Sequence, residues 1–101
     1  MKKKKIDDRL LFEDLRDPEF AAGYLEDMLL ENDFDSFLIA VRNVAKANGG
    51  MSRLSEITEL GRESMYKTLS ESGNPQFITL QSILKGIGLR FSVTVDKERV
   101  A

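Results

Sequence analysis

The chain has 101 residues, 42% of them apolar, 32% charged, with a net charge of -2, which suits one small core and leaves too little chain for a second domain. It holds no Cys and no His, so disulfides and thiolate zinc sites are excluded, and the commonest metal ligand and general base is missing. No cofactor is expected.

The start MKKKK is followed by IDDRLLFEDLRD where a secretory leader would have an apolar stretch and a small-residue cleavage site. Nor is there a run of about 18 apolar residues to span a bilayer. The expectation is a soluble, cytoplasmic protein without membrane association. Charge is unevenly spread. From Ile6 to Asp35 there are eleven acids against two bases, whereas Ser36 to Val95 holds seven bases against four acids. Two surfaces of different character are implied.

In chain order, residues 1–16 read as an arm, basic and then acidic, with residues 1–9 mobile because helical period is absent there until Leu10, Leu11 and Leu15. Asp17 caps a helix whose first turn accommodates Pro18 and whose apolar face is Phe20, Tyr24, Leu25, Met28 and Leu29, ending near Asn32. Phe34, Phe37, Leu38, Val41, Val44 and Ala45 mark a second amphipathic helix, stopped by Asn48-Gly49-Gly50. A short helix from about Ser52 to Thr58, a turn at Glu59-Leu60-Gly61 and a helix from Arg62 to Leu69 follow.

SESGNPQ is a loop, and Thr79 is expected to cap a helix carrying Leu80, Ile83, Leu84 and Ile87, closed by Gly88. Then Leu89, Phe91, Val93 and Val95 alternate with polar residues, which predicts a strand with one buried face. A lone strand leaves backbone groups unpaired, so it should pair with its copy or with a partner's sheet. Phe20, Tyr24, Phe34, Phe37, Phe77 and Phe91 are assigned to the core. The domain plan is the arm to 16, a single domain over 17–95 and a tail over 96–101.

The stretch MSRLSEITELGRESMYKTLS has the pattern of a helix-turn-helix, with Leu54, Thr58, Leu60, Met65 and Thr68 holding the two helices together. DNA reading needs a second helix with polar, exposed side chains near its start and an apolar face turned inward. Arg62, Glu63, Tyr66 and Lys67 meet that need as base or edge contacts: Arg62 suits guanine, Glu63 suits cytosine or orients Arg62, and Tyr66 suits a thymine methyl or a phosphate. Ser52, Arg53 and Ser70 are the phosphate candidates. The four lysines Lys2 to Lys5 either are solvated or add salt-dependent DNA affinity.

At this point the chain resembles a family, the antidote or antitoxin proteins of bacterial addiction modules with a lambda-repressor-like helix-turn-helix. The likeness covers roughly residues 7 to 95 and rests on the order of three blocks, LRDPEFAAGYLEDMLLENDFDSFLIAVRNVAKANGG, MSRLSEITELGRESMYKTLSESGNP and FITLQSILKGIGLRFSV. It implies an autoregulating repressor that binds double-stranded DNA at its own promoter and neutralises a co-expressed toxin, commonly a RelE- or HigB-like ribonuclease. Two departures stand out: many such motifs have Gly where Glu59 stands and Ala where Ser55 stands. The first bears on the turn's backbone and the second on helix packing.

The expected fold is all-α, a lambda-repressor-like bundle of about five helices with a short carboxy-terminal strand. A homodimer follows from the small area one recognition helix buries, with half-sites about 34 Å apart. The acids Asp7, Asp8, Glu13 and Asp14 are candidates for a basic toxin surface. The alternative is a protein-interaction module that neutralises its partner without reading DNA. Catalysis is not expected: the cluster Asp7, Asp8, Glu13, Asp14 and Asp17 lacks the Gly and terminal Glu of a calcium loop, and no nucleophile-base pair or phosphate-cradling glycine motif occurs.

Overall fold

Helix boundaries fall where side chains or tight turns can satisfy the terminal amides and carbonyls. The computed structural model describes residues 8–70 and 73–98, and of residues 8–10 the backbone alone. Among the described residues it contains six helices and no strand: α1 (Asp8–Asp14), α2 (Pro18–Leu30), α3 (Phe34–Ala47), α4 (Gly50–Thr58), α5 (Arg62–Thr68) and α6 (Phe77–Gly86).

The Asp17 carboxylate accepts from the Glu19 amide at 3.0 Å with Pro18 in the first turn, as expected of a capped start to α2. At its other end Asn32 takes a φ of 58°, and the Asp33 amide reaches back to the Met28 carbonyl at 3.0 Å. This is a Schellman closure with Asn in the left-handed position. Asp33 then accepts from the Ser36 amide at 3.1 Å and starts α3. Helix α6 ends by the same device: Gly88 has a φ of 85°, and the Leu89 amide donates to the Leu84 carbonyl at 2.8 Å.

Helix α3 is the centre of the bundle. It buries Phe37, Leu38, Ala40, Val41, Val44 and Ala45 and packs against α1, α2 and α4, while α4 packs in turn on α5 and α6. Met51 and Leu54 of α4, Met65 of α5, Leu69, and Ile83 and Leu84 of α6 complete one contiguous core. The α4–α6 crossing is close at Gly86, where a β-carbon would lie 2.7 Å from Leu54 Cδ1.

Four expectations need correction. Residues 8–14, read as part of an arm, form α1 and dock on α3: Leu15, just after the helix, is 1% exposed, Leu11 and Phe12 pack against the core, and the Asn48 side-chain amide donates to the Leu15 carbonyl at 3.1 Å. Burying a leucine contributes about 1.5–3 kcal/mol, enough to recruit a two-turn helix that has no strong period of its own. Lys2 to Lys5 and Asp7 lie outside the described residues. Helix α6 starts at Phe77, not after a Thr79 cap; the Leu80 amide donates to the Gln76 carbonyl at 3.1 Å, and the Phe77 ring stacks on Phe91 with centroids 5.1 Å apart. That tertiary contact lengthens the helix beyond its local signal.

Phe34 and Phe77, assigned to the core, are 58% and 60% exposed, and Phe20 is also exposed. Both Phe34 and Phe77 stand at the first position of a helix and line one cleft with Phe91, so each keeps one side open to solvent. Finally, no strand forms over Leu89–Val95 among the described residues. Leu89 and Phe91 pack on the core, but a strand is defined by its ladder, and among the described residues none pairs with this segment.

Candidate nucleic-acid interface

The polar face expected to read DNA depends on the turn that joins α4 to α5. Glu59 closes α4 with a φ of 63° and a ψ of 17°, the left-handed conformation that costs a non-glycine residue about 1–2 kcal/mol. Two hydroxyls hold it there. Ser55 donates to the Leu60 carbonyl at 2.5 Å, and Thr58 donates to the Leu54 carbonyl at 2.9 Å while accepting from the Leu60 amide at 3.4 Å. The two departures from the usual motif therefore belong together: the residue that would be alanine carries the hydroxyl that fastens the turn in which glutamate replaces glycine. Ser55 secures the turn, where the sequence alone suggested looser packing.

Beyond the turn the Met65 amide donates to the Gly61 carbonyl at 2.9 Å, which starts α5. Met65 and Leu69 are fully buried in the same core as Leu54, so the helix cannot rotate without opening that core. Arg62, Glu63 and Lys67 are exposed, and Tyr66 is 39% exposed. The four base-contact candidates thus share the solvent side of α5.

The phosphate candidates divide. Ser52 and Arg53 are exposed on the first turn of α4, the helix packed on α5. Arg53 is partly fixed: its Nη1 donates to the Asn48 carbonyl at 3.2 Å, and its methylenes lie over Gly49, where a β-carbon would meet Arg53 Cδ at 2.5 Å. Gly49, with a φ of 111°, is required on both counts. Ser70 differs, because its hydroxyl donates to the Lys67 carbonyl at 2.8 Å, and a phosphate would have to displace that bond.

The acidic candidates sit elsewhere. Glu13 and Asp14 are exposed on α1, which packs on α3; Asp8 lies on α1 with its side chain undescribed, and Asp7 lies outside the described residues. Among the described residues no three carboxylates come together to hold a metal ion. No helix there is long and apolar enough to cross a membrane. Sequence reasoning missed the Ser55 and Thr58 clasp, although hydroxyl residues just ahead of a turn that needs a left-handed residue were its available signal.

The family described as "Probable addiction module antidote protein" matches residues 6–95 of this chain. An uncharacterized protein of Haemophilus influenzae is 36% identical over 70 residues, covering 69% of this chain and 71% of that protein. No solved structure matches.

Proposed function

The chain belongs to the family of probable addiction module antidote proteins, and from that premise we propose that it is a DNA-binding repressor of its own promoter that also neutralises a RelE- or HigB-like ribonuclease toxin in the cytoplasm. An antidote has a cognate toxin, and the DNA reading concerns a second surface. What supports it is the exposed row Arg62, Glu63, Tyr66 and Lys67 on a helix anchored by buried Met65 and Leu69 and aimed by a fastened turn. In this reading α4 and α5 form a helix-turn-helix of the lambda-repressor type. Arg62 grips a guanine edge in bidentate fashion, Glu63 accepts from a cytosine or steadies Arg62, and Tyr66 and Lys67 meet a thymine methyl and the backbone. Ser52 and Arg53 hold the flanking phosphate.

A dimer places two such helices in successive major grooves about 34 Å apart. The exposed acids of α1 and α2 then offer the toxin a surface that competes with RNA for its cationic site. The test is a titration of the duplex upstream of the reading frame, and of a shuffled duplex, over a range of salt. Affinity for the native duplex should exceed that for the shuffled one by about 10³ or more and fall steeply with salt. Arg62→Ala should cost about 1–3 kcal/mol on the native duplex and less on the shuffled one. Equal, salt-insensitive binding to both would leave a neutralising module that does not read DNA.

A further inference from the structure

The segment after α6 is apolar at every second residue, yet only its first half is covered. Leu89 and Phe91 are anchored, with Phe91 stacked between Phe77 and Phe37 at 5.1 and 6.4 Å, yet Val93 is 97% and Val95 69% exposed. No backbone amide or carbonyl of residues 90–95 bonds to another described residue. The segment has no Pro, Gly or bulge to block an edge. A cleft of about 340 Å³ and one of about 360 Å³ both meet at Phe91, the second lined also by exposed Phe34 and Phe77.

Read as an antiparallel strand facing its own copy, RFSVTVD is self-complementary about Val93. Arg90 falls opposite Asp96, Phe91 opposite Val95 and Ser92 opposite Thr94, each pair made twice by the two-fold axis, and Val93 faces its own copy on the axis. Opposite charges meet, an aromatic meets a β-branched residue, and the hydroxyls meet; all odd-numbered residues share one face. Shifting the axis to Ser92 sets Arg90 against Thr94 and loses the ion pair, and shifting it to Thr94 sets Phe91 against Lys97.

We propose that a second copy of this chain occupies this edge, pairing residues 90–96 antiparallel about Val93 so that the partner's Val95 packs on Phe91 at the mouth of the two clefts. The proposal rests on the dimeric reading above and specifies its surface. It also explains why the alternation of the sequence forms no strand among the described residues: the ladder is intermolecular.

The test is sedimentation equilibrium of the full chain with charge-reversed variants. Arg90→Asp alone sets Asp against Asp96 twice, Asp96→Arg alone sets Arg against Arg90 twice, and each should weaken dimerisation about tenfold. An equimolar mixture of the two single variants, or the double variant R90D/D96R, should recover the wild-type affinity, since every facing pair is again opposite in sign. In a chain with no native cysteine, Val93→Cys should oxidise to a covalent dimer, whereas Ser92→Cys, about 7–8 Å from its own copy in this register, should not. A monomeric wild type, or a dimer indifferent to both charge reversals, overturns the proposal. Binding to the upstream duplex is measured in parallel: specific binding without this dimer sinks the interface alone, and an intact dimer that ignores DNA sinks the repressor reading alone.

Discussion

The turn between α4 and α5 and the segment from Arg90 to Asp96 are both short stretches that follow a helix, and their backbones are treated in opposite ways. In the turn, a disfavoured left-handed Glu59 is tolerated because Ser55 and Thr58 bind the Leu60 carbonyl and amide within a few residues. In the segment, a backbone without regular secondary structure makes no hydrogen bond to another described residue. A strained conformation can therefore be secured by local side chains, whereas an unstrained one can stay unbonded where no such side chain reaches it. The first arrangement makes a rigid surface for α5; the second leaves backbone groups open to solvent.

The comparison is sharpest where a single change separates rigidity from assembly. Met65→Ala removes a fully buried side chain that joins α5 to α4 and should cost about 2–5 kcal/mol in urea unfolding. Retained stability there would mean that α5 is not locked to the bundle. Ser55→Ala leaves the Leu60 carbonyl without its donor and should cost about 1 kcal/mol. Glu59→Gly should act in the opposite direction by up to about 1 kcal/mol, since glycine adopts this conformation without strain. Combined in one chain, the two changes should nearly cancel, which chemical denaturation of the four-member cycle measures; a Ser55→Ala chain as stable as the wild type would show that the turn is held by something else.

The smallest effect on the fold belongs to the open segment. Val93→Pro alters a residue in contact with almost nothing in its own chain, so unfolding of the dilute protein should change by no more than about 0.5 kcal/mol. Assembly should nevertheless fail, because proline removes a donor from an interior position of the intermolecular ladder. A large loss of helical circular dichroism on this substitution would place Val93 in the monomer's core and remove the contrast.

The parts that were legible share a cause. Asp17 with Pro18, the Asn48-Gly49-Gly50 stop, the Glu59-Leu60-Gly61 turn and Gly88 all act on amides and carbonyls within about four residues, so their chemistry can be read from adjacent letters. The buried and exposed faces of α5 were legible for the same reason, since Met65 and Leu69 are one helical turn apart and Arg62, Glu63, Tyr66 and Lys67 fill the remainder. Ser70 was not, because its hydroxyl's choice of the Lys67 carbonyl depends on how α5 ends.

By itself, then, the sequence determined where most helices begin and end and which side of α5 is polar. Only the tertiary structure decided that Leu11, Phe12 and Leu15 draw the acidic stretch into the bundle as α1, that Phe34 and Phe77 stay open to solvent, and that residues 90–95 bond to no other described residue. The division follows the range of the forces. Capping and turn bonds close within one or two turns of chain, while burial and strand pairing depend on surfaces contributed by residues far away in sequence or by another molecule.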